Sequence, residues 1–186
     1  MVLGLPVLAA IVLGLLLGGR IEQLAELRFR AGWLLGLAIV LQVLAFPFGF
    51  LPWHTSSGVA SALWLASYVL LLAAAVLNVR LPGVPVVAAG MAANALAVAA
   101  NGGTMPVLPR ALEAAGYSYT TLLNSTAVAE PRLPWLVDRW AAPGWVPLAN
   151  VFSVGDVLIA VGVVVIVLGG MGVRLPRPAR SRDAGV

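Results

Sequence analysis

The chain has 186 residues, of which 61% are hydrophobic and 10% are charged, and its formal net charge is +4 at pH 7. Soluble domains have roughly 45 to 50% apolar and about 25% charged residues, so this composition, with a mean hydropathy of +1.02, excludes an ordinary soluble protein and predicts an integral membrane protein. The chain has no cysteine and one histidine, which excludes disulfides, thiolate metal sites and histidine clusters.

Five segments are apolar over about the 20 residues that a helix needs to cross roughly 30 Å of hydrocarbon. They cover approximately residues 2–19, 31–51, 58–79, 82–101 and 151–172. The first has no basic stretch before it and no small-residue cleavage site before Arg20, so it predicts a permanent helix rather than a removable signal peptide. The sequence therefore predicts an all-α bundle of five transmembrane helices in a single membrane domain, residues 1–186.

Arginines account for all eleven basic residues, and eight of them lie in the first and third connections and in the tail, residues 173–186. An odd number of spans places these eight on one face, which the positive-inside rule makes cytoplasmic. The N-terminus and the long loop of residues 102–148 are then outside. Because topology explains the basic charge, no nucleic-acid partner is predicted. The first connection, residues 20–30, is interpreted as a short amphipathic helix at the interface or as a solvated connector.

Polar side chains within the spans are expected to link helices. The fourth span is rich in alanine and glycine, which allow close helix approach in membranes, so it is predicted to be central. Asn94 of this span, with Gln42 and Asn78 of others, is interpreted as an interhelical hydrogen-bonding residue.

The loop of residues 102–148 has four prolines and three tryptophans between residues 131 and 147. Proline at this density excludes a long helix, and tryptophan rings favour the membrane–water interface. Irregular backbone near membrane depth must be satisfied by protein or by a water-filled cavity. We therefore expect the loop to fold onto the outer end of the bundle, and to hold Asp138 close to that surface.

Two aspartates are the candidate catalytic residues. Asp156 is the only charged residue inside a long apolar segment, and an acid at such a place is a functional-site hypothesis by default. Asp138 lies 18 residues before it. Two carboxylates about 3 Å apart cannot both ionise, and such a pair can activate water as general base and general acid. The candidate groups for binding or for stabilising an oxyanion are Asn101, Gly102, Gly103, Asn124 and Ser153.

A structural interpretation of the same residues stays open beside the catalytic one. The sequence from Ser153 to Asp156 fits a capping box at the start of the last helix. Asp138 alternatively pairs with a nearby arginine or is solvated on its loop. The glycines at 102 and 103 are also typical of a helix C-terminus. A cap and a catalytic role are compatible in Asp156.

Motifs distributed over the whole chain carry a resemblance to a family. They are L-A-E-L-R-F-R at 24–30, A-N-G-G-T-M-P-V at 100–107, L-V-D at 136–138 and N-V-F-S-V-G-D-V-L-I-A-V-G at 150–162. With these motifs the chain resembles a family of small bacterial multi-pass membrane proteins known only as a domain of unknown function. The resemblance implies a location in the bacterial cytoplasmic membrane and brings no known activity.

A second, local resemblance covers residues 124–168, which are similar to the end of bacterial lipoprotein signal peptidase, a membrane aspartyl endopeptidase. That family's first catalytic aspartate follows two apolar residues, as in Leu136-Val137-Asp138, and its second lies in F-N-x-A-D, as in F-S-V-G-D at 152–156. The resemblance implies catalytic roles for Asp138 and Asp156. The sequence departs from the family where Ser153 replaces the asparagine and where Asn124 is only a loose counterpart of the Gly-Asn motif, which argues against lipoprotein maturation itself.

Two functions are carried forward from the sequence. The first is an intramembrane aspartyl hydrolase, and the second is a non-catalytic membrane subunit that binds a lipid or a protein partner through the same outer cavity. No motif predicts a cofactor or a metal. The predicted partners are the lipid bilayer and a lipid or peptide ligand, and no specific protein partner is predicted. The absence of inverted repeats disfavours a transporter.

Overall fold

The computed structural model describes residues 4–45, 57–116, 125–142 and 151–173. The described part is mostly helical, as predicted. In chain order its elements are α1 (Gly4–Leu16), a 3₁₀ helix (Ile21–Glu26), α2 (Trp33–Ala45), α3 (Ser57–Leu77), α4 (Val84–Ala100), β1 (Met105–Val107), α5 (Pro109–Ala115), β2 (Ser125–Ala127), β3 (Trp140–Ala141), β4 (Val151–Phe152) and α6 (Val154–Gly170). Each of the five predicted spans corresponds to one apolar helix of 13 to 21 residues, and the first connection forms the 3₁₀ helix.

The five apolar helices differ in length. Within the described residues, one helix is long and apolar enough to cross a membrane, namely the 20 residues Gly58–Leu77 of α3. The other four are shorter: α1 and α2 have 13 residues each, and α4 and α6 have 17 each. The structure thus gives one membrane-length helix and four shorter apolar helices in the described part of the chain.

Local signals explain why some helices are shorter than the predicted spans. After α1, Gly18 adopts a left-handed φ of 79°, and the Gly19 N–H donates to the Gly14 carbonyl at 2.8 Å, as in a Schellman motif. At the other end of the chain, α6 begins at Val154 because the two preceding apolar residues form β4. Residues 46–51 of the second predicted span and residues 174–186 of the predicted tail lie outside the described residues.

Glycines set the packing of α4 against α6. A Cβ added at Gly90 would lie 2.5 Å from the Gly155 carbonyl oxygen, and one at Gly162 would lie 2.7 Å from the Gly83 carbonyl oxygen. Since position 83 faces 162 and position 90 faces 155, the two helices are antiparallel and their backbones touch at both points. Small residues allow such close approach between helices, and the central position of the fourth span stays a prediction.

Amide side chains join other parts of the bundle, as the sequence predicts. The Asn78 side chain accepts a bond from the Arg30 N–H at 2.7 Å and donates to the Arg30 carbonyl at 2.9 Å. This pair ties the end of α3 to the connection before α2. Gln42 of α2 donates to the Ser67 hydroxyl of α3 at 3.3 Å. Between α3 and α4, the Tyr68 hydroxyl donates to the Met91 carbonyl at 2.7 Å.

The segment between α4 and α6 adds short strands to the predicted all-α class. β1 pairs with β2 in parallel, and β3 pairs with β4 antiparallel. Prolines and polar residues prevent a long helix here, so the backbone groups pair in short ladders. Val137 and Met105 of this segment pack against Ala97 of α4 and Trp64 of α3. The described part of the segment therefore packs on one end of α3 and α4, and the expectation that this end is the outer one stays a prediction.

Candidate functional site

The first turn of α6 is held by the predicted capping box. Ser153 is the N-cap, and its hydroxyl accepts a hydrogen bond from the Asp156 N–H at 3.1 Å. In return, the Asp156 Oδ2 atom accepts a bond from the Ser153 N–H at 2.9 Å. Ser153 is fully buried, so these bonds satisfy groups that water does not reach. The capping interpretation of Asp156 is confirmed, and it leaves a second function of the same carboxylate open.

Asn94 of α4 completes this polar cluster. Its side-chain amide donates to Asp156 Oδ1 at 3.0 Å. The Ser153 hydroxyl lies 2.8 Å from Asn94 Oδ1 and 2.9 Å from Asp156 Oδ2. Its one proton is shared between these two acceptors. The Asn94 amide fits beside α6 only because residue 155 is glycine: a Cβ there would overlap its oxygen. Asn94, Ser153 and Asp156 therefore form one hydrogen-bonded unit across the α4–α6 contact.

Asp138 lies where the two small sheets meet. Its N–H donates to the Pro106 carbonyl at 3.0 Å and its carbonyl accepts from the Leu108 N–H at 2.9 Å, so its backbone runs beside β1. The next residue, Arg139, donates from its N–H to the Phe152 carbonyl at 3.2 Å. Asp138 is thus fixed on one side to the strand that follows α4 and on the other to the strand that precedes α6.

The Asp138 carboxyl is buried, with 7% of the residue exposed. The alternative of a solvated loop aspartate is therefore wrong. No described arginine forms an ion pair with it, and the Arg139 guanidinium lies 5.2 Å from the ring centre of Trp140 instead. Burial, and after it the negative charge of Asp156, raise the pKa of the Asp138 carboxyl from its usual 3.8 to about 7. Asp156 is therefore close enough to act electrostatically on the Asp138 carboxyl.

The predicted oxyanion groups lie at the end of α4. The Asn101 side chain donates to the Ala97 carbonyl at 2.8 Å and to the Arg132 carbonyl at 2.9 Å, and accepts from the Arg132 N–H at 2.8 Å. Gly102 and Gly103 have φ values of 79° and 92°, and the Gly103 N–H donates to the Val98 carbonyl at 3.0 Å.

These bonds are those of a helix C-terminus that also clamps the following segment, which confirms the C-terminal interpretation of Asn101, Gly102 and Gly103. Their oxyanion role stays a prediction. Asn124, the other candidate, lies outside the described residues.

Residues 26–168 match the model of a protein family, which is 143 of the 186 residues. The chain belongs to DUF5317, a family of unknown function. Searches of curated proteins and of solved structures gave no match. The DUF5317 match agrees with the predicted membership of a family without assigned activity, and it covers Asn94, Asp138 and Asp156. The local resemblance to lipoprotein signal peptidase stays a prediction.

In this DUF5317 chain, Asn94 is the site residue that sequence reasoning assigned only to helix packing. In the sequence, an amide side chain in an otherwise apolar span indicates a polar partner but does not identify which residue that partner is. Within the described residues, no three metal-binding side chains come together. What the geometry offers chemically is proton transfer: a buried carboxyl with a pKa of about 7, near a second carboxylate that hydrogen bonds from Asn94 and Ser153 hold in place.

Proposed function

We propose that the chain is a multi-pass protein of the bacterial cytoplasmic membrane, with α1, α2, α3, α4 and α6 as its five spans. The length of α3 supports this proposal. So does the outer surface of the other helices, where large apolar side chains such as Leu16, Ile39 and Leu96 are 79%, 60% and 58% exposed, since extensive apolar surface marks an interaction site or a membrane. Helices α4 and α6 have 17 residues each and are therefore about 26 Å long. With the residues that flank them, they reach roughly the 30 Å thickness of the hydrocarbon layer.

The proposed orientation puts the arginine-rich connections inside and the Asp138 end outside. Because the chain has no cysteine, single cysteines report on it without background. A membrane-impermeant maleimide should label Glu130→Cys in intact cells and should label Arg80→Cys only after the membrane is opened. Both positions are exposed. The reverse pattern, or equal labelling of both in intact cells, would contradict the topology.

We infer that the outer end carries a hydrolytic site with Asp138 and Asp156 as its acid–base pair. The observation that carries this inference is the buried Asp138 carboxyl. Its pKa is raised to about 7, first by burial and then by the charge of Asp156. Two carboxyl groups whose surroundings differ in this way can divide the roles of acid and base. The Asp156 carboxylate accepts a proton from a water that attacks the carbonyl carbon of an ester or amide, and protonated Asp138 donates one to the leaving group.

The test uses protein reconstituted into vesicles and a panel of peptide and ester reporters. Asp138→Asn and Asp156→Asn should each abolish hydrolysis, whereas Glu130→Gln, at an exposed position of the same segment, should keep it. The wild-type rate should fall as the pH rises past about 7, because Asp138 then loses the proton that it donates. A reporter cleaved equally by wild type and by folded Asp138→Asn would refute the assignment.

A non-catalytic membrane subunit is the second candidate function. It is favoured by the capping box, because the bonds that Asp156 accepts from Asn94 and Ser153 already have a structural purpose. On this alternative, the outer end binds a lipid or a protein partner. Asp156→Asn would then lower the stability of the protein, Asp138→Asn would leave partner binding near wild type, and no variant would cleave a reporter.

A further inference from the structure

Two cavities lie along α3 and α4, one on each side of Tyr68, which lines both. The upper cavity, of about 390 Å³, extends from Tyr68 to Ser61 on α3 and to Gly103 beyond α4. The lower cavity, of about 360 Å³, extends from Tyr68 to Asn78 and Val84 and is also lined by Ile159 and Val163 of α6. Each volume falls in the range of roughly 300 to 1,000 Å³ that ligand pockets have. We call the two cavities together the α3–α4 groove.

The groove offers little to a polar ligand. The Tyr68 hydroxyl already donates to the Met91 carbonyl, and the Asn78 amide is used by Arg30 and Ala74. Among the described residues, no buried side-chain nitrogen or oxygen lacks a hydrogen-bond partner. A bound water needs two to four polar partners, so an apolar occupant suits the groove better than water does.

Small side chains create the groove, and an apolar surface surrounds it. Ala62 of α3 and the α4 residues Ala95 and Ala99 line the upper cavity, so the two helices do not fill the space between them. Beside it, Leu65 and Val69 of α3 are 59% and 58% exposed. In the proposed membrane orientation these side chains face hydrocarbon, which makes lipid acyl chains the neighbours of the open side of the groove.

One end of the groove lies near the aspartate site. Trp64 and Val98, which line the upper cavity, pack in one cluster with Val137, the residue before Asp138. From this end to Tyr68 the upper cavity follows about seven residues of α3, or about 10 Å, and the lower cavity extends from Tyr68 toward Asn78. An extended chain that lies parallel to α3 would therefore place its head beside the site.

We propose that the α3–α4 groove binds one acyl chain of a membrane lipid, with the polar end of that lipid next to Asp138 and Asp156. The binding site itself stands independently of catalysis. One consequence rests on the proposed function: the substrate of the aspartate pair is then a molecule that carries an acyl chain, and the groove contributes to its selection.

The test is photo-cross-linking in vesicles of phosphatidylethanolamine and phosphatidylglycerol that contain phosphatidylglycerol with a diazirine at the end of one acyl chain. Mass spectrometry of peptides should locate the label on groove residues such as Tyr68 and Met91. Ala99→Trp fills the upper cavity and should lower this labelling several-fold. Ala92→Trp, also at an exposed alanine of α4 but outside the groove, should not lower it.

A second pair on α3 guards against a misfolded variant. Ala62→Trp enters the upper cavity, whereas Ala66→Trp lies on the exposed surface outside it, so only the first should reduce labelling. Labelling spread over all exposed helices and unchanged by Ala62→Trp and Ala99→Trp would show unspecific surrounding lipid only and would overturn the proposal. If the groove is instead cross-linked to a second copy of the chain and lipid labelling is lost, the proposal is overturned as well.

The acyl-chain site and the hydrolytic function fail in different ways. Groove labelling that persists in Asp138→Asn supports the lipid site whether or not any reporter is cleaved. If a water-soluble reporter is cleaved in a manner that needs Asp138, while Ala99→Trp leaves labelling unchanged, the hydrolytic function stands and the lipid site falls.

Discussion

Replacing Asp138 by asparagine should change how the free energy of unfolding depends on pH. In the folded protein the pKa of this carboxyl is raised from 3.8 to about 7, so the folded state holds a proton that the unfolded chain has already lost. Stability from this group is complete below about pH 4 and is lost as the pH rises to about 7. One pKa unit is worth about 1.4 kcal/mol, so the loss across this window is about 4 kcal/mol.

Asparagine at position 138 is uncharged at every pH, so the variant lacks this loss. Relative to wild type, Asp138→Asn should therefore become more stable by about 4 kcal/mol between about pH 4 and about pH 8. The assay is denaturant unfolding in a non-ionic detergent, followed by far-UV circular dichroism. Glu113→Gln, at an exposed position of α5, controls for removing a carboxylate. A stability difference between wild type and Asp138→Asn that does not change with pH would refute the buried, proton-holding state of Asp138.

Three further predictions concern the structure around the site. Ser153→Ala removes the N-cap of α6 and should cost about 1 kcal/mol, measured by the same unfolding assay; an unchanged stability would contradict the cap. Gly90→Ala places a Cβ against the α6 backbone and should lower the free energy of unfolding by about 1 to 3 kcal/mol. The control is Gly36→Ala, whose Cβ would meet nothing within 4 Å, and it should leave stability unchanged or raise it by up to about 1 kcal/mol. Asn101→Ala removes the two hydrogen bonds to the Arg132 backbone and should speed amide hydrogen exchange around residue 132. Equal exchange rates in the wild type and the variant would contradict a role of these bonds in holding the segment.

Features that depend on a few neighbouring residues were predictable from the sequence. The capping box needs only Ser153 and Asp156 three residues apart, and the end of α4 needs only glycines that accept positive φ. The apolar segments were predictable too, although they overestimate helix length. The reason is that hydropathy averages over a window, whereas Gly18 and Ser153 end or start a helix at a single residue.

Contacts between distant segments were predictable only as residue types. Asn94 was expected to find a polar partner on another helix, but its pairing with Asp156 depends on the antiparallel register that Gly90 and Gly155 allow. The short strands around Asp138 were not foreseen, because strands of two or three residues have no periodicity that a sequence can show.

The sequence by itself determined the membrane-like composition, the five apolar helices and the local caps, because these follow from the hydrophobicity and backbone preferences of residues close together in the chain. Only the tertiary structure decided that Asp138 is buried and influenced by Asp156, and that α3 and α4 leave a groove between them. Burial and electrostatic influence depend on distances through space, and those distances follow from how the helices and short strands pack.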